Sequence, residues 1–178
     1  MNPSFDKRCS RQLFELVNGS WILRHAAVFA ADDLIWLLFG FYGGVIVWEK
    51  SLVQSSPLLP VLQTALALLM AYAVTAVLAR LVKRPRPYQE GQFEPVIKPF
   101  IETHSFPSAH ATFVFALASL TYASPELFGY FFAAAVIVAL ARVAVGVHYL
   151  SDVFAGAVVG LLFGKAAEIA ILLVLTFV

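Results

Sequence analysis

Long apolar stretches alternate with short polar breaks along this chain. The apolar runs cover about Ala26 to Trp48, Leu58 to Leu81, Pro107 to the break at "ASPE", Leu127 to Val145, and Tyr149 to Val178. A helix needs roughly 20 mostly apolar residues to cross a bilayer, and these runs are of that order. The breaks are "EKSLVQSSP", the proline-rich "VKRPRPYQEGQFEPVIKPFIETHSFP", "ASPE", and a short break at Gly146. Residues 9–24 differ, because Leu13, Leu16, Val17 and Ile22 stand among polar neighbours. That pattern suits a helix lying in the membrane interface. Only helices and closed barrels satisfy backbone groups in lipid. The pattern therefore predicts an all-α integral membrane helical bundle. It has about five transmembrane helices, an N-terminal interfacial helix, and one domain over residues 1–178.

Composition agrees. The 178 residues are 61% hydrophobic and 13% charged, against about 45–50% and about 25% in soluble domains. A net charge of +1 offers no global field for nucleic acid. Cys9 is the only cysteine, so no intrachain disulfide forms. The N-terminal "MNPSFDKRCSRQLFEL" lacks the apolar core and cleavage site of a signal peptide. Trp21 and Trp48 suit interfacial aromatic belts.

Counting spans puts four helix ends on one membrane face. Three polar clusters sit there: "RLVKRPRP" (80–87), "SFPSAHA" (105–111) and "ARVAVGVHYLSD" (141–152). In the last, His148 and Asp152 are four apart and share a helix face. The carboxylate can bond one imidazole nitrogen, fix the tautomer and leave the other as a nucleophile. Ser151 and Asp152 can equally serve as plain helix caps. Arg142 reaches the same pocket only through a turn at Gly146, and is otherwise an interfacial snorkeller. In "SFPSAHA", Pro107 in the first turn and Ser105 as cap predict a helix start. The amides around Ser108, Ala109 and His110 would then bind an anion. The Ser108 hydroxyl adds a donor, and His110 is either a general acid or an ordinary interfacial histidine. Prolines hold Lys83, Arg84 and Arg86 in positions that suit phosphate oxygens or anionic lipid headgroups. The coincidence of the three clusters on one face favours a phosphate site. No carboxylate cluster stands beside the histidines as a magnesium ion would want, so neither metal nor other cofactor is expected.

These residues resemble the type 2 phosphatidic acid phosphatase superfamily, which also includes vanadium haloperoxidases. The family's first motif is lysine, six residues and Arg-Pro, matched here at Arg86-Pro87. Its second, Pro-Ser-Gly-His, reads Pro107-Ser108-Ala109-His110. Its third, Ser-Arg, five residues, His, three residues, Asp, reads Ala141-Arg142, then His148, then Asp152. The resemblance covers residues 79–156. Ala79 stands at the motif's lysine position, with Arg80 or Lys83 as candidate substitutes for that charge. Ala109 replaces a glycine, and Ala141 a serine that would donate to phosphate.

"SFPSAHA", "ARVAVGVHYLSDVFAGA" and "LVNGSWILRHAAVFAADDL" are similar to the bacterial undecaprenyl pyrophosphatase branch. The resemblance implies a metal-independent hydrolase converting undecaprenyl pyrophosphate to undecaprenyl phosphate. It implies His148 as nucleophile through a phosphohistidine, Asp152 orienting it, and His110 as general acid and then base. Arg86, Arg142, Ser108, Ala109, Lys83 and Arg80 would hold the phosphate. The implied partners are a lipid phosphate and the bilayer, in a bacterial cytoplasmic membrane with the site on the outer face. The alternatives are a phosphatidylglycerol phosphate or lipid A phosphatase, or a non-catalytic lipid-binding or transport protein.

Some charges stand apart. Asp32 and Asp33 lie near the start of the first span, either paired with Arg24 or Arg80 or wet if the span begins near Leu34. Lys165 and Glu168 can pair or snorkel. Ten of the twelve Lys and Arg lie on the site face: Lys7, Arg8, Arg11, Arg24, Arg80, Lys83, Arg84, Arg86, Lys98 and Arg142. The positive-inside rule would turn that face to the cytoplasm, against the outward face that lipid carrier recycling needs.

Overall fold

A computed structural model describes residues 4–91, 93–98 and 104–177. Val178 and loop residues 92 and 99–103 fall outside it, so those parts of the expected fifth span and the long loop are not placed. The first helix is α1 (Phe5–Asn18), capped by Ser4, whose hydroxyl accepts from the Lys7 amide at 3.4 Å. Helix α2 (Trp21–Val28) passes through a π turn (Phe29–Asp33) directly into α3 (Leu34–Leu52). Then follow α4 (Leu58–Val82), a 3₁₀ turn (Pro87–Glu90), α5 (Ala109–Leu120), α6 (Pro125–Ala144) and α7 (Leu150–Phe177).

The expected interfacial helix at 9–24 is corrected by this layout. Gly19 and Ser20 break it, with Ser20 extended, so residues from Trp21 onward belong to the first long helix. Among the described residues, four helical stretches are long and apolar enough to cross a membrane: Trp21–Leu52, Leu58–Glu90, Pro125–Ala144 and Leu150–Thr176. The fifth member of the bundle, α5, has 12 residues and spans about 18 Å at about 1.5 Å per residue. That is short of a hydrocarbon core of about 30 Å. Its role is internal, because Ala111, Thr112, Val114, Phe115, Ala116, Leu117, Ala118 and Ser119 are all buried. It starts at Ala109 rather than at Pro107, with Ser108 in place of Ser105 as the residue before the first turn.

Many of the interior positions are alanines, set around a few large buried side chains such as Phe131 and Leu117, while many large side chains face outward. Ala31, Ala67, Ala71, Ala111, Ala116, Ala118 and Ala135 are fully buried, whereas Trp36, Phe41, Leu69, Tyr130, Phe154 and Leu162 are exposed. Lipid tails are as apolar as leucine, so close backbone packing rather than hydrophobic burial drives helix association here. The seam between α5 and α7 shows it. A Cβ at Gly160 would sit 2.3 Å from the Thr112 carbonyl, and one at Gly156 2.5 Å from the Ser108 carbonyl. Gly164, four residues on, meets Ser119 in the same way. This contact sets the first turns of α5 and α7 side by side, and both open onto the site.

Candidate active site

The loop from α6 to α7 carries the central histidine. Gly146 has φ +85°, and the rings of Phe93 and Phe14 fill the space a side chain would need. Only glycine takes that backbone at no steric cost. The reversal buries His148 (3% exposed) and orients its ring. Nδ1 lies 2.7 Å from the Ser105 carbonyl oxygen. A carbonyl can only accept, so Nδ1 carries the proton. Nε2 lies 3.4 Å from Nη1 of Arg86, which can only donate. Nε2 is therefore unprotonated, with its lone pair facing the Arg86 guanidinium. Arg86, itself 4% exposed, is fixed by a 3.0 Å bond to the Val147 carbonyl. Burial pushes the His148 imidazole down to about 4; Asp152 opposes the shift, and the Arg86 and Arg142 charges add to it. The ring is neutral at physiological pH.

The expected bond from Asp152 to His148 is corrected. Asp152 Oδ2 stands 3.7 Å from Nδ1, beyond hydrogen-bond range, because the Ser105 carbonyl holds that position. Oδ2 instead accepts from the Tyr149 amide at 2.8 Å, and Oδ1 from Arg84 Nη1 at 2.7 Å. The Asp152 carbonyl accepts the Ser108 amide at 3.0 Å. Asp152 is thus the cap of α7 and the joint between α7 and α5.

Helix α1 completes that cap. Ser10 Oγ accepts the Leu150 amide at 3.0 Å, and Asp6 Oδ1 accepts the Ser151 amide at 3.0 Å. Asp6 Oδ2 takes Arg84 Nη2 at 2.7 Å and the Ser151 hydroxyl at 2.6 Å. Burial alone would raise the Asp6 carboxyl, but bonds from Ser151 and Arg84 outweigh it and hold it below the usual range. Arg84 also lies 4.0 Å over the Tyr149 ring. Glu90 accepts from the Tyr149 hydroxyl at 2.9 Å and pairs with Lys7. Residue typing alone did not separate Arg84 from its neighbours. Its signal lay only in distance partners, Asp6 and Asp152, 78 and 68 residues away.

The N-terminus of α5 is built differently. The Ser108 amide is spent on Asp152, but no acceptor among the described residues reaches the Ala109 or His110 amides. The Ser108 and Ser105 hydroxyls are buried without a hydrogen-bond partner. His110, half-buried on the first turn, lies within electrostatic reach of Arg142, His148 and Arg86. Arg142, 3% exposed, gives Nη1 to the Ala31 carbonyl at 3.2 Å and to Asp32 Oδ1 at 2.6 Å. Its Nε is buried with no partner. Asp32 therefore pairs with Arg142, and not with Arg24 or Arg80 as the sequence suggested. The π turn moves the register of this helix, and Arg142 is the cation it meets.

The structure brings His148, His110, Asp152, Arg86, Arg142, Ser108 and Ala109 to one end of the bundle. It leaves the Arg80 and Lys83 side chains exposed, without a hydrogen bond or ion pair among the described residues. Lys83 ends α4 in the left-handed conformation at φ 48°, and the chain then turns so that Arg84 and Arg86 point inward. Among the described residues no group of three His, Cys, Asp or Glu side chains is placed to hold a metal ion.

Residues 60–172 match the PAP2 superfamily. The chain is 30% identical over 164 residues to the putative undecaprenyl-diphosphatase YbjG of Escherichia coli strain K12, covering 88% of this chain and 80% of the relative. Its fold resembles that of Aquifex aeolicus LpxE, with TM-score 0.65 and 22% identity over 88% of this chain and 93% of the other. It also resembles the PAP2-type phosphatidylglycerolphosphate phosphatase of Bacillus subtilis, with TM-score 0.50 and 20% identity over 93% and 95%. The chain belongs to the PAP2 superfamily and is an integral membrane lipid phosphatase of it.

Proposed function

We propose that the protein removes the terminal phosphate of undecaprenyl pyrophosphate through a phosphohistidine. The observation that carries this reading is the fixed tautomer of a buried, neutral His148, with Nδ1–H on the Ser105 carbonyl and the Nε2 lone pair facing Arg86. Nε2 attacks the terminal phosphorus, and the bond from that phosphorus to the bridging oxygen breaks. Burial and the charges of Arg142, His148 and Arg86 hold the His110 imidazole well below its ordinary value in the empty site. The substrate's phosphate charge offsets those cations, so His110 takes up a proton with the substrate. It gives that proton to the leaving lipid monophosphate, then takes one from the water that cleaves the P–N bond. The imidazolium that develops is held by the Ser105 carbonyl and, from 3.7 Å, by the Asp152 carboxylate. Arg86, the orphaned Arg142 Nε, the Ser108 hydroxyl and the Ala109 and His110 amides supply donors for the phosphoryl oxygens. Such preorganised donors account for most of phosphoryl-transfer catalysis.

The substrate reading follows the likeness to the putative undecaprenyl-diphosphatase. A phosphatidylglycerol phosphate or lipid A phosphatase remains the second reading, because the two structural neighbours bear the names LpxE and phosphatidylglycerolphosphate phosphatase. Phosphate release by purified protein from a panel of lipid diphosphates and monophosphates separates them. Undecaprenyl pyrophosphate is expected to be the fastest substrate, and a faster monophosphate lipid overturns that choice. His148→Gln should lower release on the order of 10³-fold or more while its thermal unfolding stays near wild type. Wild-type-like turnover in that variant removes the nucleophile.

We also place the site on the outer face of a bacterial cytoplasmic membrane. Arg86 and Arg142 are buried in the site itself, so they are discounted against the positive-inside rule, and the placement rests on the outward face that lipid carrier recycling needs. A Lys98→Cys variant should react with a membrane-impermeant thiol reagent in intact cells. Protection until the cells are opened reverses the orientation.

A further inference from the structure

The sequence left Asp32 without a role, and the structure gives it an unusual position. It sits in the π turn, where the Leu34 amide bonds back to the Phe29 carbonyl. Single π turns of this kind often lie at functional sites. Here the turn aims both the Ala31 carbonyl and the Asp32 carboxylate at one nitrogen, Nη1 of Arg142. The two partners of the ion pair are unequal, with the Arg142 side chain 3% exposed and the Asp32 side chain 46% exposed. The guanidinium is locked in the protein, while the carboxylate stands at the surface and can turn away into water. The neighbouring Nε of the same guanidinium is buried and unfilled. A carboxylate and a phosphate present the same pair of oxygens to a guanidinium fork.

We propose that Asp32 is a resident competitor for the charge of Arg142: it holds the guanidinium in place while the site is empty and, from the Nη1 side, weakens its hold on inorganic phosphate after hydrolysis. This rests on Arg142 being a phosphate donor, as argued above. Phosphate entering the site takes the open edge of the guanidinium, Nε with Nη2, while the Asp32 carboxylate on Nη1 offsets the charge that holds it. The affinity for phosphate is therefore lowered by the presence of the carboxylate, and the product leaves faster. Asp32 touches neither the nucleophile nor the proton donor, so it is a positioning residue.

The test is product inhibition by inorganic phosphate in the full-length detergent-solubilised protein. Asp32→Asn keeps the shape and removes the charge. Its inhibition constant for phosphate should fall about five- to tenfold, the low end of coupling between two ligands on one site. Asp32→Glu should stay near wild type, as should Asp33→Asn, since Asp33 is exposed and has no partner among the described residues. An unchanged or raised constant in Asp32→Asn overturns the proposal. Should Asp32→Asn fold poorly, Asp32→Ser offers the same comparison through the rise in unfolding temperature that phosphate gives, which should exceed the wild-type rise. A rise equal to or smaller than that of wild type also overturns it. Arg142→Gln separates the two layers of the argument. If it leaves phosphate inhibition unchanged, Arg142 is not a phosphate donor. If it weakens inhibition while Asp32→Asn has no effect, only the competitor role is lost.

Discussion

The first turns of α5 and α7 lie side by side, yet they are finished in opposite ways. On α7 the amides of Tyr149, Leu150 and Ser151 are each accepted, by Asp152, Ser10 and Asp6 in turn. On α5 the amides of Ala109 and His110 meet no acceptor among the described residues, and the Ser108 hydroxyl beside them is orphaned. Both ends carry the partial positive charge of a helix N-terminus. One has been neutralised with protein carboxylates and hydroxyls, the other left for an external anion. The two arginines follow the same division. Arg84 is clamped between Asp6 and Asp152, whereas Arg142 has one half-exposed carboxylate and an empty Nε. A satisfied network fixes geometry, and an unsatisfied one beside it takes a ligand. The α7 end therefore fixes His148, and the α5 end is left open, as the proposed phosphate site requires.

The sharpest way to break this division is to neutralise each arginine in turn. Arg84→Gln strips the counter-ion from Asp152, which is 0% exposed. Removing one partner of such a pair costs about 3 kcal/mol, read as a lowered unfolding midpoint in detergent. Arg142→Gln leaves the half-exposed Asp32 and the Ala31 carbonyl without their donor and should cost less, about 1 kcal/mol. Its effect falls on turnover instead, about 10²–10³-fold for a lost transition-state donor. Equal losses of stability in the two variants would mean that both arginines are structural, and the division would fail.

How much of this was legible in the sequence depends on the range of the interaction. Helices, their number and the face that gathers the polar clusters follow from apolar periodicity, which is local. The motif histidines and Arg86 were legible because their spacing alone carries the family pattern. The roles of Asp6, Arg84 and Asp32 were not, because each depends on a partner brought close only by packing. Asp6 meets Ser151 across 145 residues, and Asp32 meets Arg142 across 110. The short, buried nature of α5 was hidden for a related reason. Its composition is as apolar as a span, and only its enclosure by α4, α6 and α7 distinguishes it. The Ser105 carbonyl was invisible for another, since a backbone acceptor leaves no trace in residue identity. The sequence assigned the orientation of His148 to a carboxylate four residues on, and the fold gives it to a main-chain oxygen 43 residues earlier.

That substitution of acceptor has a smaller, measurable consequence. A carboxylate bonded directly to Nδ1 would favour the imidazolium and raise the pKa of the ring. A neutral carbonyl does so far less, and burial together with Arg86 and Arg142 carries His148 down to about 4. The nucleophile is competent when unprotonated, which is its state above that value. The acid limb it contributes to kcat/KM, which reports the free enzyme, should lie near 4 rather than near the ordinary histidine value of 6.5. Arg86→Gln removes one of the charges that depress it, so that limb should move upward by a fraction of a unit while the rate falls for loss of the phosphate donor. The position of the limb, and not the rate, carries the information. A limb that stays fixed in Arg86→Gln would detach Arg86 from the histidine. A wild-type limb near 6.5 that disappears in His148→Gln would show that the ring is solvated, and so that the α7 end does not hold it in the buried, carbonyl-bonded tautomer on which the contrast between the two helix ends depends.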